Sequence, residues 1–392
     1  MKFIKIKIKD IGKVVGGATP STKEKDNYGG YIPWITPKDL TGYSNIFITR
    51  GERNITQKGY NSCSTKILPI NSILFSSRAP IGYLAIVKKE LCTNQGFKSI
   101  IPNEKINYLF LYYLLKYNKN YISSLGTGTT FKEISGSVME NIELNIPELL
   151  SDQERIANIL YCIDKKILIN NQINDNLFKF AINYVISKQG KNQVPISQFA
   201  IIQGGYAFKT KDFTDTPTKN RIIKIKNLSS EINANVINSQ FAEDEVVNSL
   251  NQKFKLEKGD VTIAMTGAEL GKTGFIYGFD KYYLNQRVCV IRGRSKEREL
   301  YLKILALSYE FQTLLNSKGY GSAQPNISTN DIENILINNI TEDNLRDLYK
   351  KLNPIYYRII SNCEENLNLE QLRDALLPKL MNGEIDLDKI EI

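Results

Sequence analysis

Ser151-Asp-Gln-Glu154-Arg-Ile156 opens the longest helical pattern in the chain. A serine stands at a cap position with a glutamate three residues on, an arrangement that satisfies two otherwise unpaired backbone donors of a first turn. Ile156, Ile159 or Leu160, Ile163, Ile167, Asn170, Ile173, Leu177 and Phe180 then recur at three- and four-residue steps, the spacing of one helix face. Thr341-Glu-Asp-Asn344 opens a second such series, through Leu345, Leu348, Leu352, Ile355, Ile359, Cys363, Leu367 and Leu369 or Gln371, up to Pro378. A helix of about 35 residues is about 50 Å long, the length of about 15 base pairs of duplex. Helices that long serve as spacers or coiled-coil partners.

The two series occupy equivalent places in an internal repeat. Ile11-Gly-Lys-Val-Val-Gly16-Gly17 faces Phe199-Ala-Ile-Ile-Gln-Gly204-Gly205 at an offset of 188, and Asn71-Ser-Ile-Leu-Phe-Ser76 faces Gly259-Asp-Val-Thr-Ile-Ala264 at the same offset. Asn94-Gln95 matches Asn285-Gln286 at 191; Gly126-x-Gly128 with Ile134-Ser135 matches Gly319-x-Gly321 with Ile327-Ser328 at 193. An offset that only rises, in small steps, is what loop insertions produce. Each copy orders short strands and glycine turns, then a glycine-rich segment, then a long polar helix. Strands are expected at 4–8, 72–76, 82–87, 221–225, 260–265 and 287–291, and shorter helices at 108–115 and 300–315. The fold expected is α+β: two globular mixed domains related by pseudo-twofold symmetry, 1–150 and 191–340, separated by two antiparallel helical segments, 151–190 and 341–392.

Composition narrows the function. At 392 residues, with 42% hydrophobic and 23% charged residues, the chain suits two or three ordinary globular domains and has no apolar run of membrane-spanning length. Residues 1–10 alternate lysine with isoleucine as a strand does and lack the continuous apolar stretch of a secretion signal, so a cytoplasmic location is expected. There is no histidine, which removes the commonest general base and metal ligand. Five scattered cysteines form no C-x-x-C pair and read as reduced, apolar residues without metal. The net charge of +10 is unevenly spread. Residues 1–150 carry 20 basic and 11 acidic side chains and residues 191–340 carry 19 and 15, whereas 151–190 carry 5 and 4 and 341–392 carry 7 and 11. Basic globular parts and near-neutral or acidic helices suit a polyanion and a protein partner respectively.

Two strings imitate catalytic motifs. Gly267-Ala-Glu-Leu-Gly271-Lys272-Thr273 is one residue short of a P-loop and is followed by a strand pattern where that motif needs a helix; Asn353-Pro-Ile-Tyr356 lies inside the second helical series. The informative segments are loops mixing glycine, hydroxyl, amide and basic residues, types that bond phosphates and base edges. In the first copy they offer Gly17, Thr19, Ser21, Thr36, Lys38, Arg78, Gln95, Thr129 and Lys132. In the second they offer Tyr206, Lys209, Lys226, Asn227, Thr266, Lys272, Gln286, Arg287, Tyr320 and Gln324. The same glycines also serve tight turns and the same basic residues a solvated face. For protein partners the helical series offer Ile156, Ile163, Ile167, Leu348, Leu352, Leu376 and Leu377.

Leu372-Arg-Asp-Ala-Leu-Leu-Pro-Lys-Leu-Met-Asn-Gly-Glu-Ile385 resembles the distal helix ending of the specificity subunits of Type I restriction-modification systems. Ile146-Pro-Glu-Leu-Leu-Ser-Asp-Gln153-Glu-Arg-Ile156 resembles their entry into the central helix, and Ile11 to Gly17 with Ile32-Pro-Trp-Ile-Thr-Pro-Lys-Asp39 the start of a target-recognition domain. The resemblance spans essentially the whole chain. It implies a non-catalytic subunit in which each domain reads one part of a split double-stranded DNA sequence and the helices fix the gap. It also implies that two methyltransferase subunits grip the helical region and that a motor-nuclease subunit can join them. No cofactor is then expected on this chain; S-adenosylmethionine, ATP and magnesium belong to the partner subunits. The second copy departs by replacing Ile146-Pro147 with Asn339-Ile-Thr341, and its loops align poorly with the first. Rival readings are the specificity subunit of a fused restriction-methylation enzyme, a stand-alone methyltransferase or nuclease, and a helical scaffold that binds no DNA.

Overall fold

A computed structural model describes residues 1–78, 80–128, 132–228, 232–319 and 325–387. The chain divides into two compact units, Met1–Leu168 with Leu369–Ile392, and Ile169–Asn368. The long helices Leu150–Lys188 and Glu342–Met381 are shared between these units instead of forming segments of their own.

In the first unit the strand Phe3–Lys7 pairs antiparallel with Glu143–Pro147. A five-stranded sheet runs in the order Gly12–Gly16, Lys98–Pro102, Ile73–Phe75, Leu84–Val87, Phe47–Ile48. A three-stranded sheet sets Tyr28–Ile35 between an antiparallel strand, Arg53–Ile55, and a parallel one, Cys92–Thr93. The helix Tyr108–Tyr117 buries every side chain from 109 to 115, as a helix that is apolar all round must. Ile156, Ala157 and Leu160 of the central helix and Leu377, Leu380 and Met381 of the distal helix pack in the same core. Burial of each of the larger of these side chains contributes about 1.5–3 kcal/mol. Polar ties fix the helices: the Tyr113 hydroxyl donates to Asp164 (2.8 Å), the Arg373 guanidinium donates to the other Asp164 oxygen (2.7 Å), and buried Gln153 accepts from the Asn107 N–H (2.9 Å).

The second unit repeats the plan. Gln193–Pro195 pairs with Leu336–Asn338. A four-stranded sheet runs Ala200–Gly204, Val288–Gly293, Val261–Ala264, Thr273–Phe275, and a five-stranded sheet runs Phe213–Thr214, Gln240–Ala242, Asn220–Ile223, Lys281–Leu284, Lys255–Leu256. Asn220–Ile223 and Lys281–Leu284 are parallel, the counterpart of Tyr28–Ile35 beside Cys92–Thr93. The helix segments pair antiparallel here too: Tyr184 donates to Asp347 near one end, and Asn170 donates to Asn366 (2.9 Å) near the other. Between them the Asn362 amide donates to Asn174 (2.8 Å). These amides are buried, so the seam predicted from its apolar residues carries a polar ladder, a device that selects one register over its neighbours.

Several expectations need correction. The central helix begins at Leu150, so exposed Ser151 lies within the first turn, where the 152 and 153 N–H groups donate to the Leu149 carbonyl. Thr341 does cap the distal helix, accepting from the Asn344 N–H at 3.3 Å. The helix expected at 300–315 is two, Lys296–Ala306 and Tyr309–Lys318, because Ser308 caps a new start by accepting from the Phe311 N–H. Pro378 does not end the distal helix, which runs to Met381 and stops at Gly383. That glycine has φ +72° and lies so close to the Phe3 ring that a Cβ would stand 2.6 Å from it. The seam residues offered as partner contacts are largely internal: Ile156, Leu348 and Leu352 are fully buried in their own units and Ile163 and Leu377 nearly so, while Ile167 and Leu376 are half-buried.

Candidate nucleic-acid interface

The repeat offset recurs as contacts. In the first unit the parallel strands end at Ile35 and Thr93, and three loops meet there. Gly17 lies against the backbone so tightly that a Cβ would stand 2.2 Å from the Thr93 and Asn94 carbonyl oxygens. In the second unit the parallel strands end at Ile223 and Leu284, and a Cβ on Gly205 would stand 2.1 Å from the Asn285 oxygen. The second glycine of each Gly-Gly pair, Gly17 and Gly205, is therefore explained by close backbone approach, and Gly17 is a packing residue.

The second loop is a capped turn. Asp39 accepts from the Thr36 N–H and Thr36 hydroxyl with one oxygen and from the Glu52 N–H with the other, all at 2.7 Å. The matching turn closes by the Lys224 N–H donating to Asn227 (2.9 Å), whose amide donates to the Asn235 carbonyl (3.0 Å). Asn227 is 1% exposed with both ends of its amide engaged, so the reading of it as a base contact is withdrawn. Thr36 likewise serves the turn. Each turn does present one exposed lysine, Lys38 and Lys226. Lys38 pairs with Glu52 at 3.1 Å, an exposed contact worth at most about 1 kcal/mol and readily exchanged for a phosphate. Burial first, and then the charge of Lys226, hold the Lys224 ammonium below its usual pKa.

The third loop follows the second parallel strand. Gln95 and Gln286 are both exposed there; Gln95 is held by the Thr19 hydroxyl, so two candidates meet, and Arg287 is exposed beside Gln286. Such convergence at the carboxyl ends of parallel strands is where open α/β sheets receive ligands.

Other candidates lie elsewhere. Arg78 and Lys98 share the carboxylate of Glu133 at 3.5 and 3.4 Å, with exposed Lys132 next to it. Thr266 is buried and donates to the Pro325 carbonyl (3.2 Å), and Lys272 is ion-paired with Glu269. Ser21 is exposed, as is Lys209, whose N–H donates to Asp212 (2.7 Å). Tyr206 meets the Phe208 ring edge-on and the Phe254 ring at a tilt, with Lys253 over the latter ring. Thr129, Tyr320 and Gln324 lie outside the described residues. Arg53, exposed at the start of a strand opposite Trp34, is a further candidate that loop composition does not indicate. Among the described residues no group of three or more Cys, Asp or Glu could hold a metal ion, and no helix is long and apolar enough to cross a membrane.

A duplicated, basic, three-loop corner on paired long helices defines a DNA-specificity architecture, and the family comparison agrees. The sequence model of the Type I restriction modification DNA specificity domain matches residues 2–179 and again 189–338, so the chain belongs to that family. Over 98% of its length it is 31% identical to the Type I restriction enzyme MjaIX specificity subunit of Methanocaldococcus jannaschii, of which 94% is covered. It is 30% identical to the EcoR124I/EcoR124II specificity subunit of Escherichia coli over 43% of this chain and 42% of that protein. The crystal structure of the Type-I restriction-modification system S subunit from M. genitalium shares the fold: TM-score 0.61, with 97% of this chain and 96% of that one covered, at 16% identity. The resemblance read from the helix strings is thus confirmed.

Proposed function

We infer that this chain is the DNA-recognition subunit of a Type I restriction-modification complex, reading a bipartite target with one corner per unit. The observation that carries the reading is the same three-loop corner built twice on a family scaffold, with one exposed lysine and one exposed glutamine conserved between the copies and the remaining exposed side chains different. A shared frame with different side chains is what two unlike half-sites require. Lysines on the capped turns suit phosphates, and the neighbouring amide and guanidinium groups suit base edges.

The chain itself is read as non-catalytic. Methyl transfer, and cleavage where it occurs, belong to methyltransferase and motor-nuclease subunits that would bring S-adenosylmethionine, ATP and magnesium. Two methyltransferase subunits per chain suit the duplication. The test is methylome sequencing of a host with and without this chain: a bipartite methylation motif should vanish on deletion and return on complementation. Persistence of the motif in a host without a second specificity subunit would overturn the inference.

A further inference from the structure

The strand pairings of the two corners match position by position, while several of the side chains they carry differ. Trp34 is paired across with Arg53 and runs beside Cys92; Ile222 is paired with Gln240 and runs beside Tyr283. Arg53 and Gln240 are therefore equivalent, and both are exposed. On the third loop, Asn94-Gln95-Gly96 is equivalent to Asn285-Gln286-Arg287. Gly96 has no room for a side chain, since a Cβ there would stand 2.7 Å from the Pro37 ring, whereas the second copy has Ile225 at the Pro37 position and an exposed arginine opposite. The backbone presenting Arg287 is fixed by the Val288 N–H donating to Asn285 (3.0 Å) and the Met265 N–H donating to Arg287's own carbonyl (3.0 Å). Neither the Arg53 nor the Arg287 guanidinium has a hydrogen bond or ion pair among the described residues, unlike Arg78, Arg221, Arg292 and Arg373.

We propose that Arg53, on a strand of the first unit's corner, and Arg287, on a loop of the second's, are the residues that each select a guanine, while Lys38 and Lys226 hold phosphates at equivalent places. Because the arginines stand at non-equivalent positions of the same frame, the guanines they select occupy different positions in the two half-sites. A planar guanidinium on hydrogen-bonded backbone, with no acidic partner among the described residues, is suited to bonding guanine O6 and N7 together. The proposal rests on the DNA-reading function inferred above.

The test uses the full-length chain assembled with its methyltransferase subunits and a duplex library randomised around the bipartite target. R287Q should lose preference for guanine, about tenfold or more, at one position of one half-site only. R53Q should do so at one position of the other half-site. K226A should weaken binding to all sequences alike and leave the selected motif unchanged. The proposal is overturned if R287Q weakens every sequence equally, as a phosphate contact would, or changes nothing, or alters both half-sites. A wild-type complex that selects no motif would instead sink the DNA-reading function itself, and the proposal with it. Both arginines are exposed, so circular dichroism should report unchanged folding for each variant.

Discussion

Replacing Asp39 probes the first corner directly, because the chain's one tryptophan, Trp34, lies five residues earlier on the strand that feeds the turn. Trp34 is 5% exposed and its indole N–H donates to the Ala18 carbonyl at 3.0 Å, so its fluorescence reports this corner without contribution from the second unit. Asp39→Ala removes three bonds made at 2.7 Å to one half-buried carboxylate. At about 1 kcal/mol each, discounted from the larger value of fully buried charged acceptors, the loss is about 3 kcal/mol. With a urea dependence of about 2 kcal/mol per molar, the midpoint of the Trp34 transition should fall by about 1.5 M. Asp39→Asn keeps an acceptor for Thr36 but turns an NH2 donor toward the Glu52 N–H, and should cost about 1 kcal/mol, or about 0.5 M. A shift under about 0.3 M for the alanine variant, or equal shifts for both, would refute the assignment of the turn to this carboxylate.

Other outcomes follow from contacts in the second unit. Asn227→Asp should destabilise it by about 2 kcal/mol or more at neutral pH, since a buried carboxylate would face the Asn235 carbonyl. Burial would raise that new group's pKa above its unfolded value, so the deficit should shrink as acid protonates it and let it donate; calorimetry across pH would show a deficit that grows in acid if the contact is misread. Hydrogen bonds from Tyr184, and next from Lys188, hold the Asp347 carboxyl below the usual range, so its contribution is present at neutral pH and is lost as pH falls through the lowered value. Asp347→Asn should therefore differ from wild type at pH 7 and match it in strong acid, and a difference that persists there would contradict the contact. Asn362→Leu alone strands the Asn174 acceptor and should cost about 1–3 kcal/mol, whereas Asn174→Leu with Asn362→Leu should cost less than the two single changes together; additive costs in a double-mutant cycle would remove the ladder's role.

Much of the fold was legible because repeats and helix periods survive side-chain drift. The offset of 188 between Gly16-Gly17 and Gly204-Gly205 located two glycines that pack on equivalent backbone, and the Leu348 and Leu352 spacing located a helix face that is buried. The site was less legible for a chemical reason: an amide that locks a turn and an amide that reads a base are the same residue type. Asn227 and Gln286 both stood on loops, and only burial separates the first, turned inward onto Asn235, from the second, turned outward. Seam residues posed the same ambiguity, since an apolar stripe fits a partner protein as well as the chain's own core. Arg53 was not legible in the sequence, because pairing across a strand is a long-range contact that local pattern does not encode.

The central claim is that one chain reads two separated DNA segments, and footprinting of the assembled chain and methyltransferase subunits on a duplex carrying its methylation motif tests it most directly. Two protected patches flanking an unread gap are predicted, with K226A weakening one patch more than the other. A single continuous patch, or protection that ignores the motif, would contradict it.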